Sequence, residues 1–365
     1  MRRSRTTRLP ALLLAAALLA GACGDGDDAE ASSAAGDPAT TSAAAAASPG
    51  AAPAASAGSG ETLHLGYSAW PGWFPLAVAE EAGIFDQVGL HVELTFFADY
   101  LGSLDAMAAG QLDGNTQTLN DTMFAVAAGS DQVIVVNNDF SSGNDAVICD
   151  QSVGNSIQDL AGKTIAAEPG VVDHFLLLQG LASVGMTEDD IEFRGVATDA
   201  AAAGFADGEF DCVGVFAPFT VQALQRPGSK VVFDSGDFPG TISDHIVVSS
   251  KLAEDRPEDV QLLVEAWYRT LAWMDQNPDE ALQILSKAAE LSPEEYRRLA
   301  DGTTILPAER ALTAFQDGQT TESLPYTARL LNPFLVESGL TEEEAPLDGL
   351  FAPRFTETYL QAMGG

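Results

Sequence analysis

The stretch Leu63-His64-Leu65-Gly66-Tyr67-Ser68-Ala69-Trp70-Pro71-Gly72-Trp73-Phe74-Pro75 decides the fold. Leu63 and Leu65 alternate with His64 and Gly66, which reads as a short strand over 63–67. Pro71, Gly72 and Pro75 then forbid regular structure and mark a turn-rich loop. A helix is predicted from about Leu76 to Glu81. A strand therefore ends in a stiff loop carrying Trp70, Trp73 and Phe74. In open α/β sheets, ligands sit in the crevice beyond the carboxyl ends of strands. The three rings are placed to wall a small-molecule site; plugging a core or a lobe interface is the competing use.

Outward from this stretch, strands alternate with helices. After helix 76–84 come Gly89, a strand over 90–97, a helix from Leu101 to Ala109, and a strand Val133–Asn137. Alternation of this kind argues for a parallel sheet covered on both faces. A second half repeats the order: strand Thr164–Ala167, turn Glu168-Pro169-Gly170, helix Asp173–Val184, strand Ile191–Val196, helix 200–206, strand 212–216. A Gly-x-x-Asp step occurs in each half, at Gly110–Asp113 and Gly208–Asp211, both after an Ala-rich helix. Two lobes of like design follow. Asp145–Cys149 and Ile246–Ser249 read as the crossings between them. Beyond Pro257 the chain is mainly helical, with Val260, Leu263, Val264, Trp267, Leu271 and Met274 at helical spacing over 259–276. Trp267 and Trp273 belong to core or helix interfaces.

The N-terminus reads differently. Arg2, Arg3, Arg5 and Arg8 precede an apolar run, Leu9–Leu19, that is too short to span a bilayer. Ala20-Gly21-Ala22 then lead to Cys23. This is similar to a bacterial lipoprotein signal, with residues 1–22 removed and Cys23 lipidated; an ordinary secretory peptide is the alternative. Residues 24–60 hold no aromatic residue, Val, Ile or Leu, so 23–60 is expected to be a lipidated Cys and a disordered linker.

Removal of residues 1–22, which hold four Arg and no acid, takes the net charge from −36 to −40. Such a surface repels nucleic acid, and that class is excluded. Cys149 and Cys212 are left in an exported chain where a disulfide is allowed.

Three segments now carry a resemblance: Leu65-Gly66-Tyr67, Ala79-Glu80-Glu81-Ala82-Gly83-Ile84-Phe85 and Gly89-Leu90-His91-Val92-Glu93. Later pieces join them: Ala108–Asp113, Ile157–Lys163, Phe205–Asp211 and Val215-Phe216-Ala217-Pro218. Together they resemble the nitrate/sulfonate/taurine class of ABC-transporter substrate-binding proteins, whose relatives include thiamine-precursor binders. The resemblance spans roughly residues 61–340. It implies an α/β, two-lobed type II periplasmic-binding-protein fold with two crossing strands and a helical C-terminal part. Lobe 1 would comprise 61–145 and 248–365, and lobe 2 would comprise 146–247. It also implies a monomer that captures a small molecule, needs no cofactor, and works with a membrane permease and an ATPase. The lipid anchor would hold it at the outer face of the cell membrane.

Four places point at the implied cleft. They are Trp70, Trp73 and Phe74; Asp99 and Tyr100; the polar run 116–121 with Gln117, Thr118 and Asn120; and Glu168, Asp173 and His174 with Phe216 and Phe219. Helix capping is the competing role for Asp173 and for a member of the polar run. These loops hold acids and no Lys or Arg, although an anion site favours basic donors. An amine, another cation or a pyrimidine-like precursor therefore competes with the family's anions. In the implied fold, strand 145–149 lies antiparallel to 212–216. If Phe216 faces Asp145, Cys212 faces Cys149 at disulfide range, with two buried thiols as the alternative.

Catalysis is not expected. Neither G-x-S-x-G nor H-E-x-x-H occurs, the four His are scattered, and no metal site is read. A lipoprotein that binds only other proteins is a third reading, but it would not need aromatic loops at strand ends in both lobes.

Overall fold

The structure, a computed structural model, describes residues 58–364. The signal peptide 1–22, the lipidation site Cys23 and most of the 23–60 linker lie outside the described residues.

The chain opens with β1 (Leu63–Ser68), the aromatic turn, α1 (Pro75–Glu81), α2 (Ile84–Val88) and β2 (Val92–Phe97). Pro75 stands at the first helical position, where its missing N–H costs nothing. Then come α3 (Tyr100–Ala108), β3 (Gly114–Thr118), α4 (Leu119–Ala127) and β4 (Gln132–Ser141). β5 (Asp145–Cys149), β6 (Thr164–Ala167), α5 (Val172–Ser183), β7 (Glu192–Gly195), α6 (Thr198–Ala206), β8 (Cys212–Phe216), α7 (Phe219–Ala223) and β9 (Lys230–Asp234) follow. β10 (Ser243–Ser249) leads into a helical remainder, dominated by the 20-residue helix Pro257–Gln276 and interrupted by β11 (Thr303–Ile305). Trp267 is buried in that helix, and Trp273 is partly buried against the core.

Two sheets form. The first has the order β11-β4-β10-β3-β1-β2 and the second β7-β6-β8-β5-β9. β1 runs parallel to β2 and β3, and β6 runs parallel to β7 and β8. The chain leaves the first sheet after Ser141 and enters the second at Asp145. It leaves the second after Asp234 and returns at Ser243. All of β10 therefore belongs to the first sheet, and the return passage lies several residues before the sequence-read strand Ile246–Ser249.

The repeated Gly-x-x-Asp step has one physical cause in both halves. Gly110 (φ 69°) and Gly208 (φ 86°) take the left-handed conformation that ends α3 and α6, which only glycine adopts cheaply. Three residues on, the aspartate ties down the first edge of the neighbouring strand. His64 N–H donates to Asp113 Oδ2 (2.9 Å), and Thr164 N–H donates to Asp211 Oδ2 (3.0 Å).

β3 differs from the sequence expectation. Gly114–Thr118 is a buried strand between β1 and β10, although it reads Gly-Asn-Thr-Gln-Thr. Its polar side chains find partners inside: Asn115 donates to Ser103 Oγ, and Gln117 donates to Thr122 Oγ1 and Gln132 Oε1. The amide NH2 groups are thus paired, while Asn115 Oδ1, Thr116 Oγ1 and Gln117 Oε1 have no protein partner.

β5 pairs antiparallel with β8, with Asp145 opposite Phe216 and Cys149 opposite Cys212. The two cysteines are joined as a disulfide.

Candidate ligand-binding site

The site is assembled from the carboxyl ends of β1 and β3, the start of β5, the end of β8, and β10. Its lining is Trp70, Trp73, Tyr100, Thr118, Asp145, Val172, Phe216, Ile242 and Asp244. These residues come from both sheets and from one of the passages between them. They close around a space of about 10 Å³, no more than one water requires.

The aromatic turn is tightly built. Trp73 and Phe74 N–H both donate to Trp70 O, and Tyr296 Oη donates to Pro71 O. Trp70 and Trp73 ring centroids are 6.3 Å apart, Trp73 and Tyr100 5.2 Å, and Tyr100 and Phe216 5.9 Å edge to face. Phe219 continues the row behind Phe216 at 5.5 Å. A band of π faces thus runs from one lobe to the other, across Tyr100 and Phe216.

Acids lie against this band. Trp70 Nε1 donates to Asp139 Oδ1 (3.1 Å), and the Asp139 and Asp244 carboxyls come from paired positions on β4 and β10, each with an Oδ2 that has no partner. Asp121 receives Tyr100 Oη, Thr118 Oγ1 and Asn120 Nδ2 at 2.7–2.8 Å. Burial pushes the carboxyls of Asp121, Asp139 and Asp145 up to about 7 each, and that of Asp244 well above the usual carboxylate range. Neighbouring acids reinforce the rise at Asp121, Asp145 and Asp244. His245 on β10 supplies no counter-charge, because burial pushes its imidazole down to about 3. No Lys or Arg is among the lining residues.

Of the residues singled out from sequence, Trp70, Trp73, Tyr100, Thr118 and Phe216 meet at this space. Phe74 does not; it is buried against Tyr296. Gln117 points into the polar interior described above. Asn120 supports Asp121. Asp99 is exposed at the start of α3. Glu168 and Asp173 form a separate buried knot in which both accept from Thr198 Oγ1 and Asp173 accepts from Glu168 N–H. His174 is buried away from this space, with Nδ1 accepting from Gly170 N–H, Nε2 2.6 Å from Glu188 and its ring stacked on Phe193 at 4.5 Å.

Sequence reasoning missed the acids Asp139 and Asp145. A signal existed for Asp139: Asn137-Asn138-Asp139 breaks the apolar run Val133–Val136, yet all three are buried. Gly72 adds a second. A Cβ there would run into the Asp139 carboxylate, so glycine is what lets the turn lie on that acid. Gly72→Ala is expected to pull Asp139 off Trp70 Nε1 and to destabilise the fold by about 1–3 kcal/mol through overpacking. Urea unfolding followed by tryptophan fluorescence checks this; an unchanged midpoint with unchanged emission would refute it.

Two lobes with strand ends facing a shared aromatic and acidic space define the periplasmic-binding class of fold. A model of the NMT1-like family matches residues 56–289, and the chain belongs to that family. Among curated relatives, a provisionally named aliphatic sulfonates-binding protein of Escherichia coli (strain K12) is 25% identical over 284 residues, 76% of this chain and 87% of its own. Among solved structures, the alkanesulfonate-binding protein SsuA from Xanthomonas axonopodis pv. citri bound to MOPS superposes with TM-score 0.66 at 19% identity, over 80% of this chain and 98% of that one. The desulfurization enzyme DSZB shares the fold at TM-score 0.58 and 18% identity, over 82% and 99% of the chains. At these identities the structural likenesses establish the fold.

Proposed function

We propose that this protein is the extracytoplasmic solute-binding component of an ABC importer. It captures a small molecule between its lobes and delivers it to a membrane permease driven by an ATPase. The observation that carries this reading is the lining itself. Trp70, Trp73, Tyr100, Thr118 and Asp244 of the first lobe meet Asp145, Val172 and Phe216 of the second at one point. The space as closed holds no more than one water, so a solute enters as the lobes part and is then enclosed by walls from both of them. Family membership and the sulfonate-binding names of relatives support the same role. We take the lobes as 58–141 with 243–364, and 145–234, hinged at 142–144 and 235–242. Lipidation of Cys23 would tether the body to the outer face of the membrane as a monomer. Turnover is not part of this reading. Ser243 Oγ lies 3.1 Å from His245 Nε2, but His245 Nδ1 has no partner to orient the ring, and the pair is sealed.

A thermal-shift screen on refolded protein tests the role. A solute at 100 times its dissociation constant is expected to add about 2.7 kcal/mol to stability. Small-angle scattering should show compaction with the same solute, and Trp73→Ala should abolish both responses. If no small molecule stabilises or compacts the protein, the solute-binding reading fails.

A further inference from the structure

We infer that the solute of this cleft is an organic cation: an amine whose ammonium group lies between Asp145 and Asp244 and whose carbon frame lies against Trp70, Trp73, Tyr100 and Phe216. This rests on the solute-binding reading above and names its ligand class.

Unpartnered atoms carry the inference. Asp145 Oδ2 and Asp244 Oδ2 are buried at the lining and accept no hydrogen bond. Each side chain is about 1% exposed. A buried carboxylate oxygen without a donor is strongly disfavoured unless something neutralises it. Side chains do not: the lining holds no Lys or Arg, and His245 stays neutral. Asp139, behind Asp244, deepens the negative potential, as does Asp121 beyond Tyr100. Ammonium N–H groups are donors of the right charge for both free oxygens.

The walls say what else the cation carries. The faces of Trp70, Trp73, Tyr100 and Phe216 attract a cation through their quadrupoles and cover apolar carbon. Trp73 Nε1 is also unpartnered and offers one donor to an acceptor on the same molecule. A bare metal ion fits poorly: among the described residues no three His, Cys, Asp or Glu side chains are gathered to ligate one. A sulfonate fits poorly too, because its charge would face the two free carboxylate oxygens with no basic side chain to offset them.

Geometry also couples this chemistry to closure. Asp145 begins β5 just after one passage between the lobes, and Asp244 lies on β10 just after the other. Without a counter-ion, closing the cleft brings like charges together out of water. A cation reverses that sign, so it selects the closed arrangement.

The test is calorimetric titration of refolded protein at pH 8 with matched probes: butylamine, 1,4-diaminobutane and choline against butanesulfonate and nitrate, with calcium and manganese chloride as metal arms. Tighter binding of any ammonium probe than of every anion and metal supports the inference. Tighter binding of butanesulfonate, nitrate or a metal overturns it while leaving the solute-binding role in place. Binding of no probe of any class counts against both. Asp145→Asn and Asp244→Asn should each weaken the amine by about 30-fold or more. Their ligand-free melting temperatures at pH 8 should not fall below that of the parent, since each removes a buried acid whose ionised form has no donor on Oδ2. Should either variant fail to fold, the parent still decides. Amine binding between pH 6 and 8 should release protons, read as a buffer-dependent binding enthalpy, and no release would overturn the inference.

Discussion

Ligand-free protein is expected to melt at a markedly lower temperature at pH 8 than at pH 5. The cause is the buried acid cluster. Asp121, Asp139 and Asp145 have folded-state pKa values of about 7 against an ordinary 3.8, in each case first of all because of burial. Asp173 and Asp244 are raised well above the ordinary range too, again first of all by burial. A raised folded pKa means the folded state holds the proton more tightly than the unfolded chain does. The stabilisation is complete below about pH 4 and is lost as pH rises through about 7. One such group is worth on the order of 4 kcal/mol over that window. The groups face one another, so the total is less than the sum. Between pH 5 and 8 one of them removes about 2.5 kcal/mol, enough to shift the melting temperature by roughly 5 °C in a chain of this size. Of the groups facing the cluster, Glu168 adds negative charge beside Asp121 and Asp173, and Asp234 adds it beside Asp145. His245 works the other way: burial keeps it neutral when folded, while the unfolded chain protonates it below about 6.5, so it offsets part of the gain at pH 5, but one group against several acids leaves the sign unchanged. Asp259, which accepts from Ser59 and pairs with Arg256, is lowered and titrates below the window. Surface repulsion at a net charge of −36 has the same sign but is screened by salt. Scanning calorimetry in 0.5 M salt isolates the buried part. A melting temperature that is flat or rising from pH 5 to 8 would contradict the acid cluster as described, and a bound amine should flatten the slope.

The fold was legible because its signals are local. The strand at 63–67 breaking into Trp70-Pro71-Gly72-Trp73 placed an aromatic turn at a strand end, where the structure has it. The two Gly-x-x-Asp steps marked corresponding corners of the two halves. The candidate site was legible only where a residue type is unusual for its setting. Two Trp between prolines stand out, and so does Phe216 before Ala217-Pro218. Asp145 does not, because an acid at the edge of a strand reads as solvated until the first lobe covers it. The polar run 116–121 misled for the opposite reason. Asn, Thr and Gln in sequence suggest a ligand-facing loop, yet Gln117 is spent on Thr122 of α4 and Gln132 of β4. His174 likewise lies near a helix start as read, but its partners Glu188 and Phe193 come from elements that no local pattern ties to it.

Replacing Cys149 and Cys212 together by alanine is expected to lower stability by about 4 kcal/mol while changing ligand affinity less than about threefold. The bond closes a loop of 63 residues, and loop-closure entropy in the unfolded chain sets the first figure. The second follows from where the bond sits. β5 and β8 are inner strands of the second sheet, and their ladder runs from Cys149 opposite Cys212 to Asp145 opposite Phe216. The covalent link is thus at the far end of the ladder whose other end presents an acid and an aromatic wall to the cleft. A slip of one residue in this register would turn Asp145 and Phe216 to the opposite face. The folded ladder resists that slip without the bond, because Ala146, Val147 and Ile148 are buried between β8 and β9. Removing the bond should therefore enlarge the unfolded ensemble and leave the closed site intact. Urea unfolding of the double variant should shift the midpoint to lower denaturant, and amine titration at pH 8 should give an affinity close to the parent's. An unchanged midpoint, or two free thiols in the denatured, unreduced parent, would show that the bond does not hold this ladder. A large loss of affinity in a folded double variant would instead mean that the bond itself sets the register presenting Asp145 and Phe216 to the ligand.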